Sequence, residues 1–211
     1  MIKALIFDFD GVIVISEKPR FKAVKSIAKK YGIDIDDRLI DQAKGKTTQR
    51  FLEQIIEDES LVSRMITDFK AEYTENITDY VEPISFTVDF IREYQGSLPI
   101  AIASMSSRNA IQKLVKHMGI EDKITHITTR DEVTNHKPHP EIYLKTAEDL
   151  GIIPVDCLAF EDTALGVEAA ISAGMLCCGV LNGENNKDDF TGQNIYSFIE
   201  TKLDLFSLIK K

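Results

Sequence analysis

Two aspartates close an apolar run near the start of the chain, in Leu5-Ile6-Phe7-Asp8-Phe9-Asp10-Gly11. Such a run, ended by glycine, reads as a buried strand entering a loop. Residues two apart on an ideal strand point to the same side, so Asp8 and Asp10 would present their carboxylates together. Paired carboxylates repel, and one stays protonated unless a cation or basic group lies between them. The pair points to a metal or phosphate site; the plainer alternative is a solvated strand end. Other stretches offer matching chemistry. The run Ile100-Ala-Ile-Ala-Ser104 ends in a hydroxyl, Cys157-Leu-Ala-Phe160 runs into Glu161-Asp162, and Lys137 stands in His136-Lys-Pro-His-Pro-Glu-Ile-Tyr143. Carboxylates, a hydroxyl and one lysine suit Mg²⁺ with a phosphate group. Mg²⁺ takes few carboxylates and completes its shell with water and substrate oxygens, while lysine supplies a point charge. Taken singly, Ser104 could cap a helix, Lys137 could be a surface lysine, and Glu161-Asp162 could be acids favoured in a first helical turn.

The elements that must hold these residues follow from the apolar period. Val12–Ile15 is a second short apolar run leading away from the aspartates. From Ser16, a candidate cap, the period becomes helical: Phe21, Val24, Ile27, Ala28 and Tyr31 share a face that Gly32 closes. A short helix over Asp36–Ala43 is expected to end at Gly45. Thr47 or Thr48 then caps a helix burying Phe51, Leu52, Ile55 and Ile56, and the helical period continues from Val62 to about Ile77. This block has no strand pattern. After Pro83, strands and helices alternate: a helix around Val88–Tyr94, the strand to Ser104, a helix stopped by Gly119, a strand from Ile124, a helix stopped by Gly151, the strand from Cys157, a helix stopped by Gly174, and a strand over Met175–Leu181. Residues 182–194 read as a polar loop, and a helix over Leu203–Ile209 follows. Alternation of this kind implies right-handed crossovers and a parallel sheet covered on both faces. The expected fold is an α/β doubly wound parallel sheet with an inserted all-helical domain. Its boundaries are 1–14 and 82–211 for the core and 15–81 for the insert. In such a sheet, ligands bind beyond the carboxyl ends of the strands, where the residues named above fall.

The chain has 211 residues, enough for a substantial core in one or two domains. A net charge of −9 argues against a nucleic-acid surface. Cys157, Cys177 and Cys178 lie in apolar stretches without a Cys-x-x-Cys spacing, as expected of buried thiols in a reducing compartment. No apolar run reaches the length of a membrane span, and a cytoplasmic location is expected. Gly45-Lys46-Thr47 imitates the end of a nucleotide-binding loop, but Ile40 stands where that loop needs its first glycine. His136 and His139 lack the further Cys or His that a transition metal would need.

Asp8-Phe-Asp-Gly-Val12 behind an apolar strand resembles the first motif of the haloacid dehalogenase superfamily, in its phosphatase and β-phosphoglucomutase-like branch with a small helical cap. Ser104 after Ile-Ala-Ile-Ala resembles the second motif. Lys137-Pro-His-Pro140 resembles the third, and Glu161-Asp-Thr163 with Gly166 and Ala173-Gly174 the fourth, all in the family's order. The resemblance implies that Asp8 is the nucleophile and forms an aspartyl-phosphate. It implies that Asp10 protonates the leaving alcohol and later activates water. It further implies that Mg²⁺ is held by Asp8, the main-chain carbonyl of Asp10, and Asp162, with Glu161 supporting the metal or its waters. Ser104 and Lys137 would hold the transferring phosphoryl group, and the amides of Phe9, Met105 and Ser106 would face it. Lys46, Thr48 and Arg50 are candidate substrate contacts from the cap, or alternatively solvated helix ends.

The chain departs from the family pattern at Ile15, often acidic in relatives, and at Arg20, often histidine. Arg20 is expected near the leaving group, where it speaks against a mutase and for an anionic leaving group. The expected function is a Mg²⁺-dependent phosphatase of a small phosphorylated metabolite, with a small-molecule phosphate ester as partner and neither nucleic acid nor membrane. The alternatives are a β-phosphoglucomutase-like sugar phosphomutase and a non-catalytic phosphate-binding module. The oligomeric state is not fixed by the sequence, which is compatible with a monomer.

Overall fold

Chain order begins with β1 (Ala4–Phe7) and the two-residue β2 (Val14–Ile15). Five helices follow: α1 (Glu17–Lys30), α2 (Asp37–Asp41), α3 (Thr48–Ile55), α4 (Glu59–Glu75) and α5 (Ile77–Tyr80). After β3 (Glu82–Pro83) come α6 (Ser85–Glu93), β4 (Ile100–Ser104), α7 (Arg108–His117), β5 (Ile124–Thr129) and α8 (Glu141–Asp149). The remainder is β6 (Cys157–Glu161), α9 (Ala164–Ser172), β7 (Leu176–Val180), β8 (Ser197–Ile199) and α10 (Lys202–Ile209). This is a computed structural model describing residues 1–43 and 46–209. The helix end expected at Gly45 lies outside the described residues.

The chain forms two compact units, Met1–Ile15 with Pro83–Lys211, and Ser16–Glu82. The first unit is α/β. Its sheet has six strands in the order β5-β4-β1-β6-β7-β8, with parallel pairings throughout. β1 lies in the middle, and all four of its residues are buried, as expected of a strand covered on both faces. On one face Ile6, Ala101 and Ala159 pack against Ile142, Tyr143, Val167 and Ala170. On the other, Phe7 stacks on Phe160 at 4.3 Å between centroids, and Phe90 joins Phe7 to Phe206 of α10. Helices α1, α7, α8 and α9 each stop within two residues of the glycine expected to end them. The three cysteines are free and buried; burial pushes the Cys157 thiol up to about 11 and Cys178 to about 12. Among the described residues, no helix is long and apolar enough to cross a membrane.

Two expectations need correction. The polar stretch after β7 is more ordered than a loop: it carries a 3-10 turn at Lys187–Phe190 and leads into β8. With three residues, β8 is too short to show a period, yet it pairs in register with Cys178–Val180. Ser16 occupies the cap position of α1 without making a side-chain cap bond. The helical run expected from Val62 to about Ile77 is α4, which ends at Glu75, with Asn76 N donating to the Glu72 carbonyl at 2.9 Å ahead of the short α5. The alternative reading of Ser104 as a helix cap is not what forms: the cap position of α7 belongs to Ser107.

The second unit is helical. Phe21, Val24 and Ile27 of α1 pack against Phe51, Leu52, Val62 and Met65. Of the two candidate caps, Thr47 is the one used, accepting from Arg50 N at 3.2 Å. Phe21 and Phe51 meet edge to face at 5.2 Å, both nearly fully buried. Phe51→Ala removes a large buried side chain and one of those rings. The expected loss is about 3–5 kcal/mol of stability, measured by urea denaturation; a loss below about 1 kcal/mol would contradict this packing.

Candidate active site

The register of the sheet assembles the site. Phe7 of β1 lies beside Ile102 of β4 and Phe160 of β6. The strands are parallel, so their carboxyl ends share one edge, and there Asp8, Ser104 and Glu161 emerge. The ladder runs one residue past β1, with Asp8 N donating to the Phe160 carbonyl at 2.9 Å. The chain then turns: the Phe9 carbonyl accepts from the amides of Ile13 and Val14, and Asp8 and Asp10 find separate partners.

Lys137 lies at the centre of the first group. Its Nζ donates to Asp8 Oδ1 at 2.7 Å, Glu161 Oε1 at 2.5 Å and the Ala103 carbonyl at 3.2 Å. All three acidic and basic side chains are buried, with Glu161 the most enclosed. Lys137 precedes a cis proline, Pro138. The loop that carries it is fixed by Glu141, whose carboxylate accepts from the amides of Thr134 and Asn135 and from Asn135 Nδ2, each at 2.8 Å. Those bonds hold the Glu141 carboxyl below the usual carboxylate range. Burial pulls the Lys137 ammonium down, but Asp8 and Glu161 outweigh it and hold the charge firmly. Burial pushes the Asp8 carboxyl up to about 8 against the pull of Lys137, and the charges of Glu161 and Asp10 add to the rise.

Asp10 belongs to a second group. Its Oδ2 accepts from Ser106 Oγ at 2.6 Å and Ser104 Oγ at 3.3 Å, and Ser106 N donates to Ser104 Oγ at 3.0 Å. Ser106, expected to act through its amide, thus binds Asp10 with its hydroxyl. Phe9 is buried, and Met105 is partly buried against the core of the unit.

Two glycines make room for acids. Gly11 has φ +79, open to glycine at no cost, and a Cβ there would overlap the Asp162 carboxylate. Gly166, in the first turn of α9, leaves room for Glu161 in the same way. Oxygens of Asp8, Glu161 and Asp162 lie within 4.8 Å of one another. Burial, then the charges of Glu161, Asp8 and Asp10, raise the Asp162 carboxyl well above its ordinary value. Three carboxylates facing one ammonium form a hard, all-oxygen set with excess negative charge, which fits a divalent metal. A second group of possible ligands, His126, Glu132 and Asp149, is committed elsewhere: Glu132 to Arg108 and Thr129, and Asp149 to Lys145.

Tyr143 was not among the candidate residues read from the sequence. Its hydroxyl donates to Glu161 Oε1 at 2.6 Å and accepts from Lys137 Nζ at 3.4 Å, while the ammonium sits 5.0 Å from the ring centroid. The available signal was general: a buried tyrosine hydroxyl needs a partner. The candidate residues of the helical unit form their own contacts. Arg20 Nη2 donates to the Lys46 carbonyl at 3.0 Å and lies 3.6 Å from Glu17, with the guanidinium over the Phe21 ring. Lys46 Nζ donates to Gln54 at 2.9 Å, and Thr48 opens α3.

A sequence model of the haloacid dehalogenase-like hydrolases matches residues 5–180. The chain belongs to this family. Fructose-1-phosphate phosphatase YqaB of Escherichia coli is a relative of this hydrolase, 32% identical over 174 residues, which cover 81% of this chain and 92% of that one. β-Phosphoglucomutase of Bacillus subtilis is 31% identical over 195 residues, covering 86% and 84%. Among solved structures, β-phosphoglucomutase of Clostridium difficile superposes with a TM-score of 0.73 at 30% identity, covering 100% of this hydrolase and 96% of that chain.

The raised Asp8 carboxyl has a consequence for stability. A carboxyl whose folded value lies above its unfolded value, near 4, binds a proton on folding. Its burial therefore destabilises the fold as pH rises from the acid range through about 8. In chelator-treated protein, Asp8→Asn is expected to raise the thermal midpoint at pH 8 and to leave it nearly unchanged near pH 4. A lower midpoint at pH 8 would show that the Lys137 pairing outweighs the burial penalty.

Proposed function

We propose that the chain is a Mg²⁺-dependent hydrolase of phosphoric monoesters, acting on a small phosphorylated metabolite through an aspartyl-phosphate. The observation that carries this reading is the separation of Asp8 and Asp10. The two carboxylates leave one strand end two residues apart, one secured by Lys137 and the other by Ser104 and Ser106. That division suits two different jobs. Asp8 attacks phosphorus, forming the Asp8 O–P bond as the ester P–O bond breaks, while Asp10 passes a proton to the departing alkoxide oxygen. In the second step Asp10 takes a proton from water, the water oxygen bonds to phosphorus, and the Asp8 O–P bond breaks to release phosphate. One carboxyl thus serves first as acid and then as base.

Asp8, Asp162, the Asp10 carbonyl and the support of Glu161 would hold Mg²⁺, which when bound would supply positive charge to offset the repulsion between the attacking carboxylate and an anionic ester. Lys137 orients Asp8 and adds a fixed charge beside the phosphoryl group. Ser104, with the amides of Phe9 and Met105, completes a set of donors for its oxygens, while the Ser106 amide, expected to face the phosphoryl group, is used on Ser104 Oγ. The helical unit Ser16–Glu82 is read as the cap that selects the substrate, and the cytosol as the place of action. Relatives named as phosphatases of phosphorylated carbohydrates, including one from Thermotoga maritima, support a sugar phosphate or similar ester. The relatives named β-phosphoglucomutase favour a second reading, a mutase, in which the phosphoenzyme outlives reorientation of the substrate.

Phosphate release from a panel of phosphorylated metabolites, with and without Mg²⁺, tests the assignment. Turnover that requires Mg²⁺ and falls at least a thousandfold in Asp8→Asn is expected. Isomer formation with little free phosphate would establish the mutase instead, and no reaction by the folded protein would leave a phosphate-binding module. Arg20 is assigned to discrimination of anionic leaving groups. In Arg20→Ala, kcat/KM is expected to fall more than tenfold for esters with a second anionic group and to change little for neutral ones; an unchanged profile removes Arg20 from the specificity set.

A further inference from the structure

The reading of Asp8, Glu161 and Asp162 as metal ligands leaves one of them without help from lysine. The hydrogen bonds of Lys137 go to Asp8, Glu161, Ala103 and Tyr143. Asp162 is served from another direction, by the segment after β7. Asn182 Nδ2 donates to the Gly11 carbonyl at 2.8 Å and approaches Asp162 Oδ2 at 3.4 Å. Asn185 Nδ2 donates to the Asp162 carbonyl at 2.8 Å and to the Val180 carbonyl at 2.9 Å. The two asparagines are tied to each other through Asn182 N and Asn185 Oδ1 at 3.1 Å, and Asn182 Oδ1 accepts from Glu184 N at 2.9 Å.

We propose that Asn182 and Asn185 are positioning residues for the divalent metal, a clamp that seats Asp162 as a ligand against the bare Cα of Gly11. The proposal rests on the metal-site reading given above. Each amide places its NH₂ on carbonyl or carboxylate oxygen and its oxygen on an N–H, so an isosteric aspartate could not meet the same partners. Gly11 and Asp162 come from distant parts of the chain, and Asn182 is bonded to the first and reaches the second. Asn185 fixes the backbone from which the carboxylate extends. The chemistry suits a metal ligand among like charges. An amide donor steadies a carboxylate without bringing a second cation to compete with the metal, whereas a lysine there would neutralise the ligand. Partners of this outer kind typically change metal affinity by about 10–100-fold when removed.

Isothermal titration of the 211-residue chain with Mg²⁺, and titration with Mn²⁺ followed by its paramagnetic resonance signal, reads the clamp directly. Asn182→Ala is expected to bind both ions at least tenfold more weakly, and Asn185→Ala is expected to shift in the same direction. Phosphatase turnover in Asn182→Ala should recover at saturating Mg²⁺, which damage to the fold would not allow. Asp162→Ala is the control for the underlying site. If it binds Mg²⁺ as well as wild type, the metal-site reading itself fails. If Asp162→Ala loses binding while both asparagine variants stay within twofold of wild type, the site stands and the clamp is overturned. Should Asn182→Ala not fold, Asn185→Ala decides the matter by the same twofold limit.

Discussion

A lysine ammonium buried between two carboxylates is the constraint on which the site depends. Removing Lys137, Asp8 and Glu161 from water is unfavourable, and the loss is offset only if the three meet in good geometry. That geometry is supplied by two strand ends and one loop. Strands β1 and β6 bring Asp8 and Glu161 to the same edge through their parallel register. The loop before α8 delivers the lysine, held in place by the three donors that Glu141 gathers. A displaced loop would leave two buried carboxylates facing each other.

The remaining charge is shared out by position. Lys137 and Tyr143 occupy one oxygen of Glu161, Ser104 at the end of β4 and Ser106 after it hold Asp10, and an amide from the segment after β7 reaches Asp162. Four strands of one sheet therefore each contribute an acid or the group that steadies one. The acids are kept distinct in environment although they lie close together, the condition under which like groups take unlike chemical roles.

Much of this was legible in the order of the chain. The alternation of strand and helix, the apolar runs ending in acids or hydroxyl, and the helical block between the first and second of those runs gave the architecture. Asp8 and Glu161 stood out because a charge at the end of an apolar run is conspicuous, and Lys137 through the proline-rich motif around it. Tyr143 did not, since an aromatic residue at helical spacing looks like packing until its hydroxyl partner is known. Asn182 was hidden for a different reason: its bond to Gly11 spans 171 positions, and nothing local in an Asn/Gly-rich stretch separates an amide clamp from a solvated turn. β8 was lost because three residues carry no period. The sequence reading also paired Asp8 and Asp10 as neighbours on a strand, whereas the strand ends at Phe7 and the turn after it sends the two to different partners.

The central place of β1 has a consequence for how the chain reaches this state. Both of its neighbours, β4 and β6, come from beyond the helical unit, and Asp8 meets its lysine across 129 positions. During synthesis β1 precedes both partners, so its apolar residues and both hydrogen-bonding edges stay unpaired until β4 and then β6 emerge. An apolar strand with open edges is a site for wrong pairing between chains. The aspartates that follow it carry charge at its end, a position where charge discourages such association. The acids of the site thus help to protect the young chain before they have anything to bind.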